Sequence, residues 1–164
     1  MKHLKFSLVT KKNIKLAVKI AKEIFPYEFS KLGLFLPEFD YKKVIKKPKL
    51  GKFFIVKFGD KFVGITGYYY NFTKPKIDEV WLGYFGIRKK YRGIGLGKKV
   101  LLKTLILVKK KTKAKVIKLF TTNRKEEKSS HFLYRCLGFK KYAHKKTNQF
   151  QTYYFKKELK SPVD

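Results

Sequence analysis

An apolar run enters a glycine-rich turn that opens directly into a helix: Trp81-Leu82-Gly83-Tyr84-Phe85-Gly86-Ile87-Arg88-Lys89-Lys90-Tyr91-Arg92-Gly93-Ile94-Gly95-Leu96-Gly97-Lys98-Lys99. Residues 79–87 read as a strand. From Leu96 to about residue 110, Leu96, Val100, Thr104 and Leu107 recur at helical spacing, with Leu101, Leu105 and Val108 beside them. Such a junction aims several backbone N–H groups and the positive end of a helix at one spot, which suits a phosphate. Glycine is needed there because a Cβ would hold the anion off the amides and disfavour positive φ.

Spacing separates the phosphate-binding loops that could occupy this junction. A dinucleotide fingerprint fails, because Gly93-Ile94-Gly95 is followed by Leu96-Gly97-Lys98, and no Asp or Glu lies between Glu79 and Glu126 to hold a ribose hydroxyl. A Walker loop fails as well: it needs Gly where Arg92 stands and Ser or Thr where Lys99 stands. Arg92-x-x-Gly95-x-Gly97 remains.

Around this junction the order of elements is that of a mixed α/β layer fold. Residues 3–9 read as a strand, and Thr10 as the N-cap of a helix over about 11–24 that ends at Pro26. A second helix is expected near 40–46, after the loop 30–39 and before Pro48. Residues 53–58 and 61–66 flank Gly59-Asp60 as a hairpin. After the long helix come a strand at 115–121, a helix at 128–137, and strands near 139–145 and 150–156. The expectation is β-α-α-β-β-β-α-β-α-β-β, with a mostly antiparallel sheet flanked by helices. Nothing divides the chain, so residues 1–158 read as one domain and 159–164 as a flexible tail.

Composition narrows the setting. The chain has 164 residues, 44% hydrophobic and 17% aromatic, which is enough apolar surface to offset ordering entropy. One cysteine, Cys136, leaves no disulfide framework, and His3, His131 and His144 are too scattered to suggest a metal site. Lys5 falls where a secretory signal needs its apolar stretch, and no run approaches the ~18 residues of a membrane span, so a cytoplasmic protein is expected. The formal charge of +31 invites a nucleic-acid partner. Yet only Arg88, Arg92, Arg124 and Arg135 carry the guanidinium that base readout favours, and the lysines are spread along the chain. A solvated lysine surface and a weak polyanion association both stay open.

The loop Arg92-x-x-Gly95-x-Gly97 resembles the central motif of the GCN5-related N-acetyltransferases, in which Arg or Gln is followed by two residues, Gly, one residue, then Gly or Ala. Phe85-Gly86-Ile87 is similar to the end of that family's fourth strand. Phe132-Leu133-Tyr134-Arg135-Cys136-Leu137-Gly138-Phe139 resembles its second signature, a helix ending in Tyr with Gly-Phe four residues on. The resemblance is specific over residues 79–140 and rests on element order elsewhere.

That resemblance implies acetyl-CoA as cosubstrate. It puts the pyrophosphate on the loop amides of Arg92, Gly93, Ile94, Gly95, Leu96, Gly97 and Lys98, and the pantetheine along the strand edge near Phe85 and Ile87. It implies direct attack by an amine through a tetrahedral intermediate, with Tyr134 as general acid for the departing thiolate. Gly83 and Gly86 suggest a bulge that frees an amide for the oxyanion. Glu79, at the start of the strand, is the expected general base; a solvated carboxylate paired with lysine is the other reading. The family's Asn falls seven residues before its Tyr, where this chain has Glu127, whereas Asn123 lies eleven before. If residues 124–128 are a short insertion, Asn123 stays at the strand end near the pantetheine.

The acceptor is expected to be a primary amine of a small molecule or a peptide. Glu23, Glu28, Glu38 and Asp40 lie close together in the first helical region, either as a patch that collects a cationic amine or as partners of neighbouring lysines. The alternative function is a basic nucleic-acid- or ribosome-associated module on the same fold. The final hairpin offers an edge through which a homodimer could pair.

Overall fold

Phe53-Phe54-Ile55-Val56 has no polar residue, and strand geometry sends successive side chains to opposite faces, so this segment must be covered on both sides. The computed structural model describes residues 3–26 and 37–159. Glu28, most of the loop expected at 30–39 and all but the first residue of the expected tail lie outside the described residues.

The N-terminal half is an antiparallel meander. Strand β1 (Leu4–Leu8) pairs with β2 (Gly51–Phe58), which turns at Gly59-Asp60 into β3 (Lys61–Tyr69). Gly59 takes φ 59°, the left-handed conformation a two-residue hairpin requires. Two helices intervene between β1 and β2: α1 (Ile14–Ile24) and α2 (Pro37–Lys46). Helix α1 starts three residues later than its periodicity suggests. Thr10 closes a turn instead, its carbonyl accepting from the Asn13 and Ile14 amides while Asn13 Oδ1 accepts the Thr10 N–H at 2.8 Å.

The expected strand over 79–87 is broken. It forms β4 (Glu79–Leu82) and β5 (Gly86–Ile87), both antiparallel to β3, with residues 83–85 between them. Helix α3 (Leu96–Lys111) then crosses to β6 (Val116–Thr122), which runs parallel to β4, as a crossover connection allows. Helix α4 (Lys128–Cys136) precedes the hairpin of β7 (Lys140–Lys146) and β8 (Gln151–Glu158). The sheet order is β1-β2-β3-β4-β6-β8-β7, with β5 beside β3.

The alternation in β2 sorts the core. Phe53 and Ile55 pack with Ile20, Ala21 and Tyr41 of α1 and α2 on one face. On the other, Leu101, Leu105 and Tyr134 of α3 and α4 cover Leu82, Leu119 and Phe155. No described helix is long and apolar enough to span a membrane.

A buried hydroxyl pair links α3 to the sheet. Thr104 Oγ1 donates to the Val100 carbonyl, so it accepts from Thr66 Oγ1 at 2.8 Å, both side chains being buried. Thr104→Val should therefore leave the Thr66 hydroxyl stranded and destabilise by about 2 kcal/mol. Removing both hydroxyls should cost less than the sum of the single changes. Urea midpoints of the two single variants and the double variant check both statements.

Candidate active site

Strands β4 and β6 stay paired only from Glu79↔Val116 to Trp81↔Lys118. Beyond that point β6 continues along β8, while residues 83–87 follow β3, and a wedge opens between them. The break in the strand has a steric cause. A Cβ at Gly83 would stand 2.7 Å from a ring carbon of Tyr69 and 2.8 Å from one of Phe53, so only glycine lets the chain turn against these rings. Tyr84 follows at φ 46°, a left-handed backbone that a non-glycine residue adopts at a cost of about 1–3 kcal/mol.

The mouth of the wedge is the glycine loop. Gly93 and Gly95 take φ 82° and 77°, and an added Cβ at either would meet nothing within 4 Å, projecting into open space. Gly95 caps α3 without any side-chain hydrogen bond, and the first N–H groups of a helix have no partner within it. Arg92 Nε donates to the Ile87 carbonyl at 2.8 Å, pinning the loop to the end of β5. A cavity of about 680 Å³ runs from Phe85 and Ile87 to Arg92, Gly95, Gly97 and Lys98. Leu96 is turned into the core, and Ile94 is exposed outside this lining.

Tyr134 stands at the closed end of the wedge. It is buried, its ring packing against Phe85, Phe139 and Phe155 at centroid distances of 6.2, 5.8 and 6.1 Å. It lines a second cavity of about 280 Å³ together with Gly83, Tyr84, Asp40 and Glu127. Phe85 and Glu127 belong to both cavities, which therefore adjoin.

Two other expected site residues are not brought to Tyr134. Glu79 sits at the start of β4 and lines neither cavity. The parallel pairing places Lys118 beside it, and its carboxylate is shared between Lys118 and Lys76, the latter at 3.2 Å. The hydrogen bond from Lys118 holds its pKa below the ordinary carboxylate value, with burial opposing and Lys76 adding to the effect. Asn123 ends β6 in a clasp with β8: its N–H donates to the Gln151 carbonyl, and its Oδ1 accepts the Gln151 N–H at 2.9 Å. It lines none of the cavities described.

Of the acidic residues of the first helical region, the three described ones each have a partner. Glu23 is held by a two-point fork from Arg88, at 2.9 and 2.8 Å, and Glu38 by Lys42 at 2.6 Å. Asp40 accepts a hydrogen bond from Tyr84 Oη at the Tyr134 cavity. Burial raises the Asp40 pKa, against the lowering effects of Tyr84 and Lys43. Burial and the same hydrogen bond push the Tyr84 phenol up. Sequence reading missed this pair; its only local signal was a tyrosine between glycines in the strand. Glu127 is the other carboxylate at the cavity, accepting from the Thr121 hydroxyl at 2.7 Å and from the Thr122 amide.

The sequence profile of the acetyltransferase (GNAT) family matches residues 15–139. None of the curated proteins matches the chain by sequence. Among solved structures, the fold is similar to the ribosomal-protein-S18-alanine N-acetyltransferase of Escherichia coli, with TM-score 0.74 and 14% identity over 99% of this chain and 97% of that one. An acetyltransferase from Streptococcus agalactiae gives TM-score 0.71 and 21% identity over 96% and 98%. A ribosomal L7/L12 alpha-N-protein acetyltransferase in complex with coenzyme A gives 0.69 and 9% over 95% and 94%. With its profile spanning the wedge, the glycine loop and Tyr134, the chain belongs to the GNAT family of acetyltransferases.

Proposed function

We propose that this protein is an acetyl-CoA-dependent N-acetyltransferase acting on a primary amine. The observation that carries this reading is the continuity of two cavities: the glycine cradle with its helix end, and the closed end of the wedge where Tyr134 lies. The residues present fit acetyl-CoA. Open amides at residues 96–98, with Arg92 and Lys98 beside them, suit its diphosphate. The strand edge at residues 83–87, left unpaired by β6, suits its amide-bearing arm.

Acetyl-CoA supplies an acyl group activated as a thioester. The chain's own groups then do three things. Backbone amides at the β4–β5 break stabilise negative charge on the acyl oxygen. Tyr134 Oη delivers a proton to the departing sulfur, and its phenolate recovers the second proton of the attacking nitrogen. Asp40 takes the proton of the incoming ammonium, a role suited to a half-buried carboxylate with a raised pKa on the same cavity. Glu79, held ionised by two lysines away from that cavity, is a poorer base.

A base must be ionised, so kcat/KM should rise with pH through the raised Asp40 pKa. Asp40→Asn should remove that acid limb and lower kcat by about tenfold or more. Glu79→Gln should leave the limb in place. A limb that vanishes in Glu79→Gln and persists in Asp40→Asn would exchange the two roles. Release of free thiol from acetyl-CoA, screened over amines, amino acids and peptides, tests the function as a whole. Absence of acetyl-CoA binding by calorimetry would refute it.

A further inference from the structure

Helices α1 and α2 cover β2 and β3, but the same sheet face is open to solvent where it continues onto β4, β6, β8 and β7. Val80, Leu82, Leu119 and Phe155 point into the core under α3 and α4, so alternation turns Trp81, Phe120 and Tyr154 to the open side. Tyr142 joins them from the bulge between Lys141 and Ala143 in the edge strand β7. One ring from each strand thus forms a row across the sheet, Trp81, Phe120, Tyr154 and Tyr142, with successive centroids 6.4, 6.4 and 6.3 Å apart. Phe120 is 52% and Tyr142 42% exposed, so the row presents its rings to solvent.

Cations flank the row on both sides. Strand register sets Lys118, Lys156 and Lys140 next to one another on one side of the rings. Lys118 Nζ lies 5.9 Å over Trp81 and 5.8 Å over Tyr142, and Lys156 Nζ lies 5.6 Å over Tyr142. On the other side, Arg124 and Lys145 line a cavity of about 630 Å³ over Trp81, Phe120 and Tyr154, with no Asp or Glu in its lining. Among the described strand residues of this open face the carboxylates are Glu79, shared by Lys118 and Lys76, and Glu158 near the end of β8. Positive charge prevails along the rings.

We propose that this face binds single-stranded nucleic acid, with successive bases stacked on Trp81, Phe120, Tyr154 and Tyr142 and phosphates held by the flanking cations. Every base has a flat face, so the row selects unpaired strands without selecting a sequence. That suits a surface built mostly of lysine, which meets phosphate as a point charge and lacks the fork that reads base edges. A duplex hides its base faces in its own stack, and an acidic peptide offers charge without a succession of flat rings. The platform borders the Tyr134 cavity through Phe120 but does not depend on acetyl transfer.

Trp81 is the one tryptophan of the chain, so its fluorescence reports on this face alone. The full chain is titrated at one ionic strength with an oligouridylate of about 12 nucleotides, a duplex RNA of the same length, heparin and polyglutamate. Oligouridylate should quench Trp81, whereas duplex and heparin, although drawn by the net charge, should leave its emission largely unchanged. Phe120→Ala, and Tyr142→Ala at the exposed sheet edge, should each weaken oligouridylate binding by about tenfold while heparin binding is kept. A thermal melt and the retained heparin affinity separate this loss from unfolding. Lys156→Gln should reduce the salt slope of oligouridylate binding by about one, and Lys110→Gln, on the helix covering the other face, should not. Equal quenching by duplex or heparin would reveal a response to charge alone and overturn the proposal. Polyglutamate matching oligouridylate would overturn it in favour of an acidic protein partner. Unchanged oligouridylate affinity in both ring variants, or no binding at all, would also refute it.

Discussion

Tyr134→Phe is expected to lower kcat by about a hundredfold while changing acetyl-CoA affinity by no more than about twofold. The substitution removes one oxygen and keeps the ring, so the contacts with Phe85, Phe139 and Phe155 that hold α4 against the sheet survive. Folding should therefore be unaffected, and a thermal melt alongside the kinetics checks this. The loss should fall on kcat, because a thiolate that must leave without a proton raises the barrier of the chemical step. Calorimetric titration with coenzyme A separates this effect from binding. Turnover unchanged in the variant would remove Tyr134 from the mechanism.

Gly95→Val is expected to weaken coenzyme A binding by roughly ten- to a hundredfold. Two effects act together. A β-branched residue is strained at φ 77°, and its side chain would project into the open space beside the first amides of α3. Gly97→Ala supplies the contrast. There φ is ordinary and a Cβ would lie 3.6 Å from Leu133 in normal contact, so affinity should fall by no more than about threefold. Equal losses in the two variants would show that the loop is read through its side-chain volume generally and not through its left-handed turn.

Net charge adds a condition to both measurements. A field of +31 attracts an anionic ligand over several ångströms, and salt screens it. Affinities should therefore be compared at one fixed ionic strength.

What the sequence revealed follows from how local each signal is. The hairpin at Gly59-Asp60 and helix α3 are legible because turn chemistry and periodicity are properties of a few neighbouring residues. The bend near Gly83 is legible as a suspicion for the same reason. Its form is not, because the rings of Phe53 and Tyr69 that forbid a Cβ come from other strands. The Asp40–Tyr84 pair joins residues 44 positions apart and depends on α2 folding over the break between β4 and β5. A lysine partner for Glu79 is an open reading in sequence, and the parallel pairing of β4 with β6 supplies it as Lys118. Asn123 is drawn into its clasp because β8 returns beside β6.

That return of β8 has a bearing on biogenesis. The last described strand is an interior member of the sheet, flanked by β6 on one side and β7 on the other. During synthesis the N-terminal meander can close early, since its pairings are sequential, whereas β6 keeps a bare hydrogen-bonding edge until β8 emerges. A polypeptide cut short ahead of Gln151 would carry the glycine loop and Tyr134 intact and still expose that edge to other chains. Competence of the fold is thus deferred until β8 has emerged, and a chain that stops ahead of it should yield aggregate in place of a weakened catalyst.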